Sequence, residues 1–541
     1  MDLSFPSRRN LWILGPKRDS LCFILTPLLI VPVILALKER VQPEVLGIYV
    51  LGFGGFGHHL PGFIRAYSDP DLFRRFKLRF TAVPLLLILI CGLYSFLNLN
   101  ALVFATVAWG TWHGAMQING FLRIYDSKAN SFRPATARLD WLMCLAWFGA
   151  AILHSPAKLF SLVSQFYFSG GLLIPPPSFE IFRRLWDFST ALVTLLFLAN
   201  VIRQWRAKSP PSPVKLFTMA TSFVFWWYCV VGTNQLIIGL VMWEIFHDVQ
   251  YDVLVWLFQR RRVDGNLQAS RVERFLFSPG LGRLSFYTLL ILAYGYIGVA
   301  TSYADINLPE KNLLAAGSSQ WLLRISLASA ILHFYFDGFI WRIREGGIRR
   351  GLGLEAKNTA EIPTPKFLLH SWKWVFFLVP VGYLGVAQYR GWGADSKSQA
   401  LNLSQAIPGS WLANFLAGTY YQGDGNLGQA ELLFRKSVAD DPKFAIGHLF
   451  LGDALYGQGN LPEAEEHYLR SVLLDSNMVE SRRNLALLYL KLGRFPEAVR
   501  QFQAGLLMDP ENPDLNSGLA AALKNLADTS VSAIKKAPSP Q

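Results

Sequence analysis

Ionisable side chains interrupt the long apolar stretches in the N-terminal part of this chain, and their types are those that bind metals and move protons. A charged group in membrane hydrocarbon costs about 3 kcal/mol or more, so each one marks a functional site by default. The set comprises His58, His59, His113, His247, His333, Glu244, Asp248 and Asp337.

The spacing of two pairs places each pair on one helix face. Glu244 lies three residues before His247, and His333 lies four residues before Asp337. Side chains three or four apart are neighbours on a helix surface. The Glu-x-x-His spacing also occurs in di-iron carboxylate bundles. A carboxylate often orients a ligating imidazole, and Asp337 is expected to do so for His333.

Imidazole is the commonest protein metal ligand, and imidazoles with carboxylates and open positions suit non-haem iron. The adjacent pairs His58–His59 and His247–Asp248 cannot all point the same way on a helix. One member of each is therefore expected to orient a ligand or to lie at a helix end. The alternative is that each histidine hydrogen-bonds a neighbouring membrane helix.

Composition indicates a membrane region followed by a polar region. The 541 residues are 52% hydrophobic and 16% charged, against about 25% charged in a soluble domain. Residues 391–541 hold 13 Lys+Arg and 16 Asp+Glu, a net charge of −3, and because the whole chain carries +14, residues 1–390 carry +17. Basic residues beside apolar segments set membrane topology, so no nucleic-acid partner is expected.

About eleven windows are long and apolar enough to be transmembrane helices, which need roughly 20 residues each. The sequence therefore predicts an all-α fold, a polytopic transmembrane bundle of about eleven spans. The windows are 20–37, 44–64, 80–98, 101–120, 139–156, 185–202, 215–232, 234–257, 284–303, 319–341 and 367–389.

Basic loops predict the orientation of these spans. Every second loop is rich in Lys and Arg and is expected to be cytoplasmic, like the N-terminus. An odd number of spans then places the C-terminal region outside a bacterial-type inner membrane. In this orientation all five histidines fall in the cytoplasmic half of the bilayer. The basic loops are 65–79, 123–138, 203–215, 260–274 and 342–366.

From about position 408, small residues, aromatics and prolines recur with a period of about 34 residues. They are Gly418, Tyr421, Ala430, Phe434 and Pro442, then Leu451, Gly452, Ala464 and Tyr468, then Leu485, Ala486, Tyr489, Ala498, Phe502 and Pro510. This pattern resembles the tetratricopeptide repeat (TPR) family, with Ser476 where the second repeat usually has Pro. The resemblance implies an α-solenoid whose concave groove binds a protein partner.

The predicted domain organisation follows from these patterns. Residues 1–390 form the membrane domain, and residues 391–407 form a linker. Three repeats and a capping helix occupy residues 408–527, and residues 528–541 form a disordered tail.

The membrane region resembles the histidine-rich membrane non-haem iron oxygenases, which include desaturases, hydroxylases and carotene-cleaving dioxygenases. The resemblance rests on the buried histidines, and it implies bound iron and a lipid-soluble substrate. Desaturases also carry HxxxH and HxxHH sequences, and this chain has neither.

A different interpretation begins from Asp69-x-Asp71 in the first basic loop. This spacing resembles the DxD of glycosyltransferases that use lipid-linked sugars. Those carboxylates lie on the outer face, whereas the basic charge of loop 65–79 predicts a cytoplasmic position. The structural alternative is a solvated turn at Asp69-Pro70 beside anionic lipid.

The leading functional hypothesis is a metal-dependent membrane oxidoreductase, with iron as cofactor and a lipid-soluble substrate that enters from the membrane lipid. The histidines would hold the metal, and Glu244, Asp248 or Asp337 would complete the ligand set or orient a ligand. The alternatives are a non-enzymatic membrane scaffold or assembly factor for envelope components, and a lipid-linked-sugar glycosyltransferase.

Overall fold

The computed structural model describes residues 11–129, 131–233, 235–265, 269–307, 313–341, 352, 354 and 375–536, with backbone alone for 301–325, 375–376 and 529–536. Within these ranges the regular structure is helical, which confirms the predicted all-α class. The chain forms two compact units, Met1–Leu172 with Glu180–Gly393, and Leu173–Phe179 with Ala394–Gln541.

The described part of the first unit is a helical bundle with three π-helical segments. Its α-helices are α1 (Pro16–Asp19), α2 (Thr26–Leu37), α3 (Pro43–Tyr49), α4 (His59–Ser68), α5 (Pro70–Arg75), α6 (Lys77–Phe96), α7 (Ala101–Lys128), α8 (Pro134–Leu153), α9 (Pro156–Phe168), α10 (Pro176–Arg206), α11 (Pro213–Trp227), α12 (Leu236–Asp264), α13 (Arg271–Phe277), α14 (Leu281–Asn307), α15 (Leu313–Ile340) and α16 (Val375–Arg390). The π-helical segments are π1 (Ser20–Ile24), π2 (Val50–Phe56) and π3 (Tyr228–Gly232).

The prediction of about eleven spans is wrong for the described residues. Five helices are long and apolar enough to cross a membrane, or six if the pair Pro16–Ile24 and Thr26–Leu37, bent by 44°, counts as one span. The five are Lys77–Phe96, Pro134–Leu153, Pro176–Arg206, Pro213–Gly232 and Leu281–Ala300.

Two physical reasons account for part of the difference. The window 44–64 is broken into α3, π2 and α4. Helix α12 is long enough to span a membrane, but Glu244, Asp248 and Asp252 interrupt its apolar half. These carboxylates make the helix too polar to count as an apolar span. The first residues of the last window, 367–374, lie outside the described residues.

Glycines let π2 and α14 approach closely. A Cβ on Gly52 would lie 2.7 Å from the backbone nitrogen of Val299, and a Cβ on Gly295 would lie 2.7 Å from the Cα of Phe53. Such distances exclude any side chain at these two positions, since the obstacle is backbone. The Gly-rich run therefore serves close helix packing.

Apolar packing surrounds the central helices α4, α7, α12 and α15. One cluster of buried residues joins α7 and α12 to α2, α8 and α11, and includes Trp226 and Phe246. A second joins α4, α6, α7 and α15, and includes Phe80 and Phe336. The histidine-bearing helices thus lie between two packed apolar regions, which hold them in place.

A buried group of charges ties α7, α8 and α11 together. Lys215 Nζ lies 3.1 Å from Asp126 Oδ2 and 2.6 Å from Asp140 Oδ2, and all three side chains are fully buried. Arg123 contacts both carboxylates. Two cations and two anions give a net charge of zero, which is how buried charges are tolerated.

Several cations of the predicted basic loops therefore lie inside the bundle. Arg123 and Lys215 pair with carboxylates. Arg65 is buried between the rings of Phe258 and Trp341, with its Cζ 4.0 and 3.9 Å from the two ring centroids. These residues stabilise the bundle, and they are not free to interact with lipid headgroups.

The second unit is built from antiparallel helix pairs. Its helices are α17 (Ser396–Ala406), α18 (Trp411–Gly423), α19 (Leu427–Asp440), α20 (Ala445–Gly457), α21 (Leu461–Leu474), α22 (Val479–Lys491), α23 (Phe495–Leu506) and α24 (Pro513–Lys536). Helix α17 lies in the range predicted as a linker, and α24 extends past residue 527 into the range predicted as a tail.

The repeat period appears in the backbone. Gly425, Gly459 and Gly493 each turn the chain between the two helices of a pair with a positive φ, of 76°, 83° and 73°. Glycine adopts this conformation without the steric cost that a Cβ brings. The helices touch where small residues meet aromatics, as at Gly418 and Phe434.

A matched pair of alanine substitutions tests this packing. A Cβ on Gly418 would lie 2.6 Å from Cε1 of the fully buried Phe434 ring, whereas a Cβ on Gly428 meets nothing within 4 Å. We expect Gly418→Ala to lower the free energy of unfolding of this unit by about 1–3 kcal/mol. Gly428→Ala should leave it unchanged or raise it by up to about 1 kcal/mol. Pulse proteolysis of the full-length protein in urea measures both, and equal effects would contradict the packing.

A histidine pair makes the second unit sensitive to pH. His448 Nδ1 on α20 lies 3.0 Å from His467 Nδ1 on α21, and the rings stack. Burial lowers the pKa of His448 below its ordinary value of 6.5. Burial, followed by the charge of His448, lowers the pKa of His467. Because the folded unit binds fewer protons than the unfolded chain, stability is present above about pH 6.5 and is lost as the pH falls below it.

We therefore expect the urea midpoint of this unit to fall between pH 7.5 and pH 5.5, and we expect His448→Gln to reduce that fall. Pulse proteolysis with thermolysin at both pH values measures it. His154→Gln, in the first unit, serves as the control. An unchanged pH dependence in His448→Gln would show that other groups cause it.

Candidate metal centre

Four neighbouring segments bring the five predicted histidines into one buried cluster. His58 and His59 stand at the start of α4, His113 on α7, His247 on α12 and His333 on α15. None of the five is more than 8% exposed. Their convergence follows from the packing of these helices around the middle of the first unit.

His333 makes short contacts with two other imidazoles. His333 Nε2 lies 3.2 Å from His58 Nε2 and 3.2 Å from His113 Nε2. A ring nitrogen has either one proton to donate or one lone pair to accept with. His333 Nε2 can therefore make one good hydrogen bond here, and its second nitrogen contact stays unsatisfied unless a cation lies between the rings.

The tautomer of His58 also favours a cation beside its Nε2 atom. Its Nδ1 donates to the carbonyl oxygen of Gly54 at 3.3 Å, and Asp248 Oδ1 lies 2.8 Å from the same nitrogen. The proton therefore sits on Nδ1, and the Nε2 lone pair faces the other rings. A carboxylate in this position is a common support for a metal-ligating histidine.

The distances match a metal between the rings. With metal–nitrogen bonds of about 2.1 Å, two nitrogens 3.2 Å apart subtend an angle of roughly 100°. That value lies between the octahedral and tetrahedral angles of about 90° and 109°. Each of the two nitrogen pairs therefore has the separation expected of two ligands of one ion.

His247 adds a fourth imidazole. Its ring centroid lies 5.2 Å from that of His58 and 5.3 Å from that of His113. Gln117 holds the helix at this point by donating to the carbonyl oxygen of His247 at 2.9 Å. One ligand atom from each of His113, His247 and His333 falls within 4.8 Å of the others.

Asp337 faces the converging nitrogens. Its Oδ2 lies 3.7 Å from His333 Nε2 and 3.9 Å from His113 Nε2. Its Oδ1 accepts hydrogen bonds from Tyr251 at 2.9 Å and from Trp341 at 3.2 Å. The expected role of orienting His333 does not fit, since Asp337 approaches Nε2, and Nδ1 of His333 has no hydrogen-bond partner among the described residues. Asp337 Oδ2 thus faces Nε2 of His333 and of His113, and Asp248 contacts Nδ1 of His58.

His59 has a different position from its neighbour, as the adjacent pair requires. Its ring stacks on His333 at 4.7 Å, and its Nδ1 lies 2.9 Å from Ser329 Oγ. Ser329 in turn contacts Tyr294 OH at 2.8 Å. His59 thus belongs to the cluster, with a ring nitrogen within 4.8 Å of ring nitrogens of His58 and His333, and it is held by Ser329 of α15.

Two predicted site residues, Glu244 and Asp337, are in none of the compact donor groups among the described residues. Glu244 has a separate environment. It lies one helical turn before Asp248 on α12 and against π2, where a Cβ on Gly55 would be 2.7 Å from Glu244 Oε1. Gly54 makes similar room for Asp248, where a Cβ would clash with Oδ2. The glycine run therefore also leaves space for two buried carboxylates.

Three residues that hold the candidate ligands in place were not predicted from the sequence: Tyr251, Trp341 and Ser329. Helical spacing could have found them, because Tyr251 follows His247 by four residues, Trp341 follows Asp337 by four, and Ser329 precedes His333 by four. The sequence offers no sign of which of many aromatic residues meets a carboxylate.

The carboxylates of the alternative Asp69-x-Asp71 site have structural partners. Asp69 Oδ1 accepts the backbone N–H groups of Asp71 and Leu72 and caps α5. Its Oδ2 lies 2.9 Å from Arg262. Asp71 pairs with Arg74 at 2.7 Å. This arrangement favours the turn over a sugar-nucleotide or lipid-phosphate site.

Comparisons with known proteins concern the second unit. Among solved structures, the first TPR domain of Spaghetti (RPAP3) bound to an HSP90 peptide is 19% identical and covers 22% of this chain and 94% of its own, with a TM-score of 0.22. The Arabidopsis OM64 TPR domain is 16% identical and covers 21% and 95%, with a TM-score of 0.21. MamA is 18% identical and covers 30% and 90%, with a TM-score of 0.24.

No curated protein sequence matches the chain, and the resemblance to membrane iron oxygenases stays a prediction. The tetratricopeptide repeat family profile matches residues 415–477 and 483–528. This match confirms the repeats that the sequence period predicted. The C-terminal part of the chain is a tetratricopeptide repeat module.

Proposed function

We propose that this protein is a metal-dependent membrane oxidoreductase that acts on a lipid-soluble substrate. The observation that carries the proposal is the pair of short imidazole contacts at His333 Nε2, which lies 3.2 Å from Nε2 of His58 and 3.2 Å from Nε2 of His113. Hydrogen bonding alone does not satisfy these nitrogens, and a divalent ion does.

The donor set fits iron. Neutral imidazoles with one carboxylate, and no thiolate in the donor groups of the described residues, are ligands that suit non-haem iron. His58, His113, His333 and Asp337 would hold the ion, with His247 close enough to join them. When bound, iron with open positions supplies the activation of dioxygen.

The remaining residues position and shield these ligands. Tyr251 and Trp341 fix one oxygen of Asp337, so that the other faces the imidazoles. The carbonyl oxygen of Gly54 accepts the His58 Nδ1 proton, and the Asp248 carboxylate lies 2.8 Å from that nitrogen. Apolar packing on both sides excludes water and makes the site accessible to an apolar substrate.

A membrane location is part of the proposal. Lys77–Phe96 and Leu281–Ala300 are apolar helices that each bury only 22% of their most apolar window within the protein. Such surfaces need lipid around them. We place the first unit in a bacterial-type inner membrane, with the N-terminus cytoplasmic. The extracytoplasmic position of the repeats rested on an odd span number and stays a prediction.

We further propose that the repeat module recruits a protein partner and takes no part in the chemistry. Tetratricopeptide arrays present a concave surface built from successive helices, and this surface binds partners in many such proteins. All the donor atoms of the candidate centre lie in the first unit. Under the scaffold hypothesis, partner binding by this module is the only function of the protein, and the histidine cluster binds no metal.

Metal analysis of the full-length protein purified in detergent tests the proposal. We expect about one iron per chain, and we expect His113→Ala and His333→Ala each to reduce it at least tenfold, because each removes a converging Nε2. His154→Ala is the matched control, since His154 pairs with Asp187 and is in none of the donor groups. The metal proposal would be refuted if the unsubstituted protein contained no iron, or if both cluster variants retained it. The scaffold hypothesis would then remain.

Substitution of a supporting carboxylate tests the assignment of Asp248. Asp248→Asn removes the negative charge beside His58 Nδ1 and should weaken iron affinity about 10–100-fold while the four ligands remain. Asp252→Asn, one turn further along α12, is the control, since Asp252 is in none of the donor groups. Competition with a chelator measures the affinity, and equal losses in both variants would assign the effect to the bundle as a whole.

A further inference from the structure

A long cavity runs beside the histidine cluster. Its volume is about 800 Å³, which is the space of roughly 25 waters or methylene-sized groups at about 30 Å³ each. Helices α7, α12, α15 and α16 line it, and its walls are mostly aromatic and aliphatic. His113, Tyr251 and Asp337 form part of the wall, so the cavity reaches the proposed centre.

One face of α7 gives the cavity its length. The eleven α7 residues that line it run from Phe104 to Ile124 and recur every three or four positions. Twenty residues of helix rise about 30 Å. His113 is nine residues from Phe104 and eleven from Ile124, so the centre lies about 14 Å from one end of this wall and about 17 Å from the other.

Among the described residues, the cavity wall holds no Lys or Arg that could pair with an anionic headgroup. The polar side chains are gathered near the middle, where Gln117, Tyr251 and Asp337 stand close to His113. An ionised group at either end would find no opposite charge among these residues, and burying even a neutral polar group without a partner costs roughly 2–7 kcal/mol.

We propose that the substrate is a long, neutral hydrocarbon chain that lies along α7, with an internal carbon beside His113 and Asp337. The oxidation belongs to the proposed function and its metal centre, whereas this binding mode rests on the cavity. A chain of about 18–25 carbons would extend into both arms, one on the Phe104 side and one on the Ile124 side.

Two small residues allow each arm to be closed separately. Ala108, five residues before His113, lines one arm with an exposed side chain. Gly120, seven residues after His113, lines the other, and a Cβ there meets nothing within 4 Å. Phe at either position fills cavity space and replaces no packed side chain. Gly282→Phe is the matched control, because Gly282 on α14 is also open and does not line the cavity.

Photolabelling of the full-length protein in phosphatidylcholine nanodiscs tests the proposal. The probes are octadecane with a diazirine at carbon 9 and octadecane with a diazirine at carbon 2. We expect the carbon-9 probe to label α15 at Asp337, and the carbon-2 probe to label the residues near Phe104 or Ile124. Ala108→Phe and Gly120→Phe should each reduce the carbon-9 labelling of α15 at least tenfold, and Gly282→Phe should not.

Three outcomes would overturn the proposal. Loss of labelling in only one of the two arm variants would mean that the chain enters by its end. Equal labelling of α15 by the carbon-9 alkane and by 9-diazirine octadecanoate would mean that the site accepts a charged headgroup. Equal labelling by phosphatidylcholine with a carbon-9 diazirine would mean that the cavity holds a membrane acyl chain.

The labelling does not depend on iron, so it is measured with and without chelator. Absence of iron from every preparation, with labelling as expected, would refute the proposed oxidation and leave the binding mode standing. Stoichiometric iron, together with labelling that neither arm variant reduces, would refute the binding mode and leave the proposed metal centre standing.

Discussion

Burying ionisable groups inside an apolar bundle requires that each one be paired, and this requirement organises the first unit. An uncompensated charge in such surroundings costs more than most single contacts contribute. Lys215 and Arg123 meet Asp126 and Asp140, and the four charges cancel. The histidine cluster is the contrasting case, because hydrogen bonds within it leave converging nitrogens unsatisfied. That contrast separates a group of structural charges from a candidate metal centre.

Space for the buried polar groups comes from glycine. The π2 segment lies between α3 and α4, and its glycines face α14 on one side and the carboxylates of α12 on the other. Gly54 and Gly55 leave room for Asp248 and Glu244, and Gly52 lets α14 approach. A side chain at these positions would move α12 away from His58 and would separate the donors. The geometry of the cluster thus depends on residues that have no chemistry of their own.

The two units have different sources of order. The repeat module is held by local contacts that recur once in each repeat, such as Gly418 with Phe434 and Gly452 with Tyr468. The first unit depends on contacts between residues far apart in the chain, such as His58 with His333. A local pattern can be recognised from one sequence, whereas a long-range contact leaves no periodic trace.

The sequence alone determined the helical class, the repeats and the identity of the buried histidines, because composition, period and residue type are properties of the chain itself. It overestimated the number of transmembrane spans, because an apolar window does not reveal a π-helical segment within it. It also does not reveal which cations are buried inside the bundle, as Lys215 is. Only the tertiary structure decided that four helices bring His58, His113, His247 and His333 together and that Asp337 faces them. The physical reason is that helix packing sets the distance and rotation between segments, and a sequence fixes neither by its spacing along one helix.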